Sequence, residues 1–189
     1  MIRILPLFLL AATLSAEAPF DFDSNSGLEP NLPERTFAGH VRTDITVRET
    51  VDTIVLSAYE LEIDSAQLHT SSGPVDLPHT HDTDTQQLSL HPARPLPPGD
   101  YVIELVFRGV INPNAEGFFF DRYATPEGDK ELFGTQCEVP DARRIVPCWD
   151  EPAFKATFSS TLVVPENFIA TSNMPVVRET PLGDRRKEV

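Results

Sequence analysis

The sequence predicts an all-β domain, an antiparallel β-sandwich or saddle, and three observations carry this prediction. Eighteen prolines and many turn signals divide the chain into short apolar segments. These segments tend to alternate apolar and polar residues, which is typical of strands with one buried face. Beyond the first 18 residues, no segment shows the apolar spacing of a helix over three turns. A chain of 189 residues can bury one substantial core.

The predicted strands follow one another closely from residue 36 onward. The first has apolar or small residues at every second position, as in Phe37, Gly39 and Val41. Residues 71–85 and 92–99 are rich in turn-forming residues, and the phenylalanines at 118–120 predict a buried aromatic cluster. The strands are predicted at residues 36–47, 53–63 with a break near 58–60, 66–70, 87–90, 101–110, 158–164 and 168–171.

Residues 1–18 are predicted to be a secretory signal peptide. Arg3 precedes an apolar stretch at residues 4–14, and small residues follow it. The apolar stretch is too short to span a bilayer. The sequence therefore predicts entry into the secretory pathway and an extracellular or plasma-membrane-associated location.

The remaining chain divides into two parts by composition. Residues 19–35 are rich in Asp, Ser, Asn and Pro and predict a loose lead-in. Residues 36–189 carry the strand patterns and are predicted to form one β domain.

The charge balance limits the classes of partner. The chain has 15 basic and 29 acidic residues, which gives a formal net charge of −14. Repulsion makes nucleic acid and anionic membranes poor partners, whereas cationic ligands are mildly favoured.

The run at residues 134–158 carries the most chemistry. Gln136 and Glu138 are two positions apart in a segment predicted to be extended, so both side chains leave the same face. An amide beside a carboxylate suits a protonated amine, which donates hydrogen bonds and carries positive charge. The alternative at this point is that Glu138 and Asp150 only form ion pairs with the two neighbouring arginines.

The rest of this run predicts a rigid connection between strands. Asp141 is placed to cap a short helical turn that contains Arg143 and Arg144. Two prolines then bracket a corner in which Trp149 is predicted to be buried, and the adjacent carboxylates cap the chain or pair with an arginine.

Two closely spaced histidines are the candidate metal ligands of this sequence. His79 and His81, with Asp82 and Asp84 nearby, could present two imidazoles on one strand face. No thiolate or glutamate follows at zinc spacing, so a solvated loop is the favoured interpretation. The sequence contains no His-Glu-x-x-His, no Gly-x-Ser-x-Gly and no glycine-rich phosphate loop.

Three blocks of sequence resemble one family. TQCE at 135–138, PDARR at 140–144 and PCWDEPAFKATF at 147–158 resemble the N-terminal domain of zinc aminopeptidases of the aminopeptidase N type, which are gluzincins. TFAGHV at 36–41 and SNMPV at 172–176 are similar to flanking segments of the same domain. The resemblance spans about residues 30–178 and implies an all-β fold.

The resemblance implies functions for individual residues. Gln136 and Glu138 match the positions that bind the free α-amine of a peptide substrate. The implied partners are peptide N-termini and a catalytic domain of the same polypeptide. The remaining matches imply a structural role only, and they are Asp141, Arg143, Arg144, Cys148, Trp149, Asp150, Glu151 and Pro152.

The family's metal chemistry lies outside this segment. The resembled enzymes hold zinc with two histidines and a glutamate in a second domain, where a glutamate activates water. A Gly-x-Met-x-Asn segment there also fixes the substrate amine. The sequence lacks both motifs, so it is expected to be truncated before the catalytic domain, to bind no zinc and to be inactive alone.

Two questions stay open from the sequence. The chain could instead be a stand-alone secreted β module that binds a partner or acts as a decoy without peptidase activity. Cys137 and Cys148 could form a disulfide in an oxidising compartment, but free thiols are favoured, because the resembled family has a cysteine at the second position in cytosolic members too. Spacing alone does not establish the required Cα separation.

Overall fold

The computed structural model describes residues 22–189, so the predicted signal peptide at residues 1–18 lies outside the described residues. Within the described part of the chain, no helix is long and apolar enough to cross a membrane. Thirteen strands and one 3₁₀ turn at Ala142–Arg144 make up the regular structure of these residues. The strands are β1 Phe22–Asn31, β2 Thr36–Val47, β3 Ile54–Ser57, β4 Leu61–Thr70, β5 Gly73–Asp76, β6 His79–Asp82, β7 Gln87–Leu90, β8 Gly99–Val110, β9 Gly117–Thr125, β10 Gly128–Gln136, β11 Ala156–Pro165, β12 Thr180–Gly183 and β13 Arg186–Glu188.

The strands form one large sheet and two small ones. The large sheet has the order β12-β13-β11-β1-β2-β8-β4-β5, and all its pairs are antiparallel except β1 with β11. A three-stranded sheet has the order β3-β7-β6, and β9 and β10 form a two-stranded hairpin. The all-β, sandwich-like class predicted from the sequence is therefore confirmed, with one parallel pair added.

One core joins the sheets. Strand β2 alternates buried and outward residues along its length, as expected for a strand with one face on a core. Its buried side chains share a cluster with those of the three-stranded sheet, such as Leu88 and Leu90, and of the hairpin. The ring of Phe37 meets the ring of Phe107 edge-on at 6.4 Å and that of Phe118 at 5.4 Å. These contacts pack the hairpin and the large sheet around the same aromatic group.

The predicted loose lead-in at residues 19–35 is wrong where the chain is described. Residues Phe22–Asn31 form β1, which pairs with β2 on one side and β11 on the other. This segment has few apolar residues, so its alternation is too weak to detect in the sequence. Backbone hydrogen bonds from both neighbours, rather than apolar burial alone, hold it in the sheet.

Other segments differ from the predicted strands in more local ways. The break near residues 58–60 is confirmed, but the short strand predicted at 66–70 continues β4 across an irregularity between Ile63 and Ser65. Residues 71–85 were predicted to be turns and contain β5 and β6. Residues 168–171 do not form one of the strands, and the hairpin of β9 and β10 was not predicted. Of the predicted aromatic cluster at 118–120, Phe118 is buried and its two neighbours are half-buried.

Two strand glycines offer a matched test of the packing. A Cβ built on Gly39 would lie 2.3 Å from the ring of Phe107, whereas one built on Gly27 in the neighbouring strand meets nothing within 4 Å. Gly39→Ala is therefore expected to lower the free energy of unfolding by about 1–3 kcal/mol, because an already filled core must shift. Gly27→Ala is expected to change it by less than about 0.5 kcal/mol. Urea unfolding followed by circular dichroism measures both, and equal effects would contradict this packing.

Candidate functional site

The candidate site is the connection between β10 and β11, residues 137–155. The connection begins after Gln136 at the end of the hairpin and contains the 3₁₀ turn. Further along, Cys148 forms an isolated β-bridge with Ser57 at the end of β3. The two residues exchange backbone hydrogen bonds of 2.8 and 3.0 Å. The connection is therefore fixed to both small sheets, which gives an exposed loop a defined geometry.

The prediction that Gln136 and Glu138 share one extended segment is wrong. Strand β10 ends at Gln136, and Glu138 lies in the turn that follows. The backbone N–H of Glu138 donates to Oε1 of Gln136 at 3.2 Å. A polar side chain that accepts from a backbone group two residues on favours a turn over a continuing strand, which explains the difference.

The carboxylate of Glu138 is exposed and free. Among residues 22–189 it forms no ion pair and no side-chain hydrogen bond. The alternative in which Glu138 pairs with Arg143 or Arg144 is thus not what the structure shows. Gln136 is half-buried, and its amide at the end of β10 lies two residues before the exposed carboxylate in the turn.

Asp150, in contrast, is paired with Arg143. Its Oδ2 accepts from Nε of Arg143 at 3.0 Å and from the backbone N–H of Arg143 at 3.2 Å. The two side chains are only 11% and 15% exposed, so little water screens the pair. Arg143 also donates to Oε1 of Gln86 at 3.2 Å, and its carbonyl accepts from the N–H of Tyr59. This pair therefore closes the connection on itself and ties it to two other turns.

Arg144 holds the other side of the turn. Its guanidinium contacts the carboxylates of Asp141 at 2.7 Å, Glu60 at 2.5 Å and Glu116 at 3.5 Å, and lies 4.5 Å above the ring of Tyr59. Burial alone would lower the pKa of Arg144, but hydrogen bonds to Glu60 and Asp141 outweigh it and raise that pKa. The predicted short helical turn is confirmed, whereas Asp141 binds Arg144 and makes no side-chain cap.

The corner after the turn is less buried than predicted. Trp149 is half-buried, and its ring stacks on that of Phe154 at 6.3 Å. Glu151 and Pro152 are exposed. Trp149 therefore packs against the edge of the core rather than inside it.

Both cysteines of the connection are buried thiols. Burial first, and then the charges of Asp150 and Asp141, raise the pKa of the Cys137 thiol to about 12. Burial also raises the pKa of Cys148 above its usual range. Both thiols are consequently protonated at neutral pH and poor nucleophiles in the folded state.

The predicted histidine pair does not form a metal site. His79 and His81 lie in β6 rather than in a loop, and Nε2 of His81 is 3.0 Å from the carbonyl oxygen of Ala58. In the described range 22–189, no group of three His, Cys, Asp or Glu residues could hold a metal ion. These described residues do not fit a zinc ion, and the family resemblance implies zinc only in a separate catalytic domain.

Sequence reasoning missed the residues that hold the arginines from outside the run. Glu60 and Gln86 lie in turns far away in the sequence, each with a positive φ, 56° and 58° respectively. Glu60 falls within the predicted strand break at 58–60, which was a signal for a turn but not for its contact. Only the folded chain brings these side chains to Arg143 and Arg144.

The fold and the connection together define a β-sandwich domain that presents an unpaired carboxylate from an arginine-clamped turn. The chain belongs to the M1 peptidase family, because residues 24–189 match the family described as Peptidase M1 N-terminal domain. The resemblance to the N-terminal domain of aminopeptidases of this type is thus confirmed.

The chain is similar to several aminopeptidases. It is 34% identical over 192 residues to Aminopeptidase N of Acetobacter pasteurianus, and the aligned region covers 95% of this chain and 54% of the relative. It is 38% identical over 162 residues to Aminopeptidase M1 of Arabidopsis thaliana, covering 83% of this chain and 18% of the relative. Puromycin-sensitive aminopeptidase of Caenorhabditis elegans is 34% identical over 167 residues. The chain thus spans about half of the first relative and less than a fifth of the second.

Proposed function

We propose that this domain binds the free α-amine of a peptide and presents the peptide to a zinc-dependent catalytic domain of the same polypeptide, which then removes single N-terminal residues. The observation that carries the proposal is the exposed, unpaired carboxylate of Glu138 beside Gln136. The relatives, whose names describe aminopeptidases, support the reaction class.

The chemistry of Glu138 suits this role. A carboxylate forms short, charge-assisted hydrogen bonds with an ammonium group, which are about twice as strong as neutral ones. Among residues 22–189 the carboxylate has no partner that an incoming amine must displace. Fixing the amine sets which peptide bond reaches the reacting centre, so positioning alone favours cleavage after the first residue.

Gln136 is proposed to orient the turn and also to bind the amine. Its Oε1 already accepts from the backbone N–H of Glu138, and an amide oxygen has a second lone pair for an ammonium hydrogen. Its amide therefore orients the turn and contributes one acceptor to the amine.

The site needs a second surface to become a pocket. Two open depressions of about 820 and 860 Å³ lie on the described structure, and Glu138 lines neither of them. A carboxylate on an open surface binds an amine weakly, because water screens the attraction. We propose that the catalytic domain encloses this surface and supplies the zinc ligands that residues 22–189 do not offer.

The chain alone is expected to show no hydrolysis of leucine p-nitroanilide, with or without added zinc. Its described residues provide no metal group to activate water, and its substrate-binding surface is open. The assay is the release of nitroaniline by the purified chain, repeated with a chelator. Release of nitroaniline that the chelator abolishes would contradict the proposal that this domain binds substrate while a separate domain carries out catalysis.

Amine recognition can be tested separately on the same chain by NMR. A short peptide with a free N-terminus is expected to shift the backbone amide signals of Gln136 and Glu138 at millimolar concentration, whereas its N-acetylated form is not. Glu138→Gln should remove the effect, and Glu151→Gln, a change at another exposed glutamate of the same connection, should leave it intact. Equal shifts with both peptides would contradict the proposal and would favour a binding module of another kind.

A further inference from the structure

Strand β11 has different neighbours along its two edges. Residues 156–162 pair in parallel with β1, and residues 163–165 pair antiparallel with β13. The ladder with β13 extends one step further, because Leu162 and Val189 exchange two backbone hydrogen bonds of 2.9 Å. In the described part of the chain, no strand pairs with Phe158 or Ser160 on the β13 side. The first half of β11 therefore has an open edge on that side.

The hydrogen bonds of Leu162 identify which residues face this open edge. The N–H and C=O groups of one strand residue point to the same side, and successive residues alternate between the two sides. The groups of Leu162 point to β13, so those of Ser160 and Phe158 point to the open edge. Those of the intervening Ser159 point to β1. An open row of backbone donors and acceptors is a template for another strand.

We propose that this open edge of β11 binds an antiparallel strand of the longer polypeptide in line with β13, an inference that rests on the proposed function because it takes the catalytic domain to belong to the same polypeptide. The strand would exchange backbone hydrogen bonds with Ser160 and then with Phe158. This two-residue spacing continues the exchange between Leu162 and Val189. Strand addition of this kind draws its affinity from main-chain hydrogen bonds.

The ladder between β11 and β13 favours a strand of the same polypeptide over a second copy of the chain. At one end of this ladder, the N–H of Glu166 donates to the carbonyl of Arg185, and the register stays constant as far as Leu162. A strand in line with β13 keeps this register. A second copy would lose its translational and rotational freedom on binding, and its net charge of −14 would repel an equal charge.

The added strand would hold the far end of the connection that carries Glu138. Strand β11 begins at Ala156, directly after the connection at residues 137–155. Hydrogen bonds to Phe158 and Ser160 would join this end of the connection to the part of the polypeptide that contains the reacting centre. The strand would thereby limit the movement of Glu138 relative to that centre, as a binding site built on rigid elements requires.

Hydrogen exchange at single-residue resolution tests the inference on the 189-residue chain and on the complete polypeptide, both without substrate. In the 189-residue chain, the amides of Phe158 and Ser160 are expected to exchange at least about tenfold faster than the intervening amide of Ser159. In the complete polypeptide, this difference is expected to disappear, because all three amides then lie within paired strands.

Three results would overturn the inference. If the amides of Phe158 and Ser160 exchanged much faster than that of Ser159 in the complete polypeptide too, no strand would cover the edge. If they were already slow in the 189-residue chain at every protein concentration, the edge would not be open. If they became slow only as the concentration of the 189-residue chain rose, a second copy would be the occupant.

Ser159 and Ser160 are both exposed and provide matched variants. Proline lacks the N–H and is tolerated in a strand only where that group faces no partner. In the 189-residue chain, Ser159→Pro is expected to lower the melting temperature more than Ser160→Pro. In the complete polypeptide, each variant loses a hydrogen bond to a neighbouring strand, so the difference is expected to shrink. An unchanged difference would contradict strand addition at Ser160.

The exchange measurement on the unaltered proteins decides the question even if a proline variant fails to fold. It also separates this inference from amine binding. Glu138→Gln is expected to leave the exchange of Phe158 and Ser160 unchanged, since no substrate is present. Failure of Glu138 to bind an amine would therefore leave the strand addition standing, and fast exchange at Phe158 and Ser160 would leave amine binding standing.

Discussion

Glu138→Gln in the complete polypeptide is expected to lower kcat/KM for peptides with a free N-terminus by about 10- to 100-fold. A hydrogen bond to a charged group contributes about 1.5–3 kcal/mol, and the variant removes the charge while keeping the size of the side chain. Steady-state kinetics with a dipeptide series measures the change. Because the amine is positioned before and during the reaction, both kcat and KM are expected to change.

Glu151→Gln is the matched control for this experiment. Glu151 is exposed in the same connection, and we assign it no contact with substrate. Its variant is expected to keep kcat/KM within about twofold, as surface substitutions away from structural features are close to neutral. A Glu138→Gln enzyme that is as active as the unaltered one would remove the basis of the proposed function.

Asp150→Ala is expected to be the most destabilising change in the connection. It leaves the guanidinium of Arg143 largely enclosed without its carboxylate, which typically costs about 3–5 kcal/mol. The melting temperature of the chain is then expected to fall by roughly 6–20 °C. Differential scanning calorimetry measures the shift, and the same variant is expected to broaden the NMR signals of the turn.

A double variant separates the ion pair from a general loss of packing. Arg143→Met combined with Asp150→Ala removes both charges, so it is expected to be more stable than Asp150→Ala alone. If the double variant were less stable by the sum of the two single effects, the side chains would act independently. That result would contradict the claim that the ion pair of Arg143 with Asp150 stabilises the connection.

The fold was predictable from sequence wherever burial alternates strongly. Strand β2 was predicted with its observed bounds, because its alternate positions are buried against the core along its whole length. Strand β1 was missed because its place in the sheet depends on backbone pairing with β2 and β11, which side-chain pattern does not encode. The hairpin of β9 and β10 was missed for a related reason: its outer half is exposed on both faces.

The sequence was sufficient to predict which segment forms the candidate site, but not how its side chains pair. The sequence placed Gln136, Glu138 and both arginines in one run, and it left open which carboxylate pairs with which arginine. The answer depends on Glu60 and Gln86, which reach Arg144 and Arg143 only through the tertiary fold. The turn at Glu138 was also hidden, because a local hydrogen bond to Gln136 replaces the expected extension.

The most direct measurement is a crystal structure of the complete polypeptide with a bound peptide or a non-cleaved analogue. We expect a carboxylate oxygen of Glu138 within about 2.7–2.9 Å of the α-amine nitrogen, the usual length of a charge-assisted hydrogen bond. An amine bound entirely by other groups, with Glu138 still facing solvent, would contradict it.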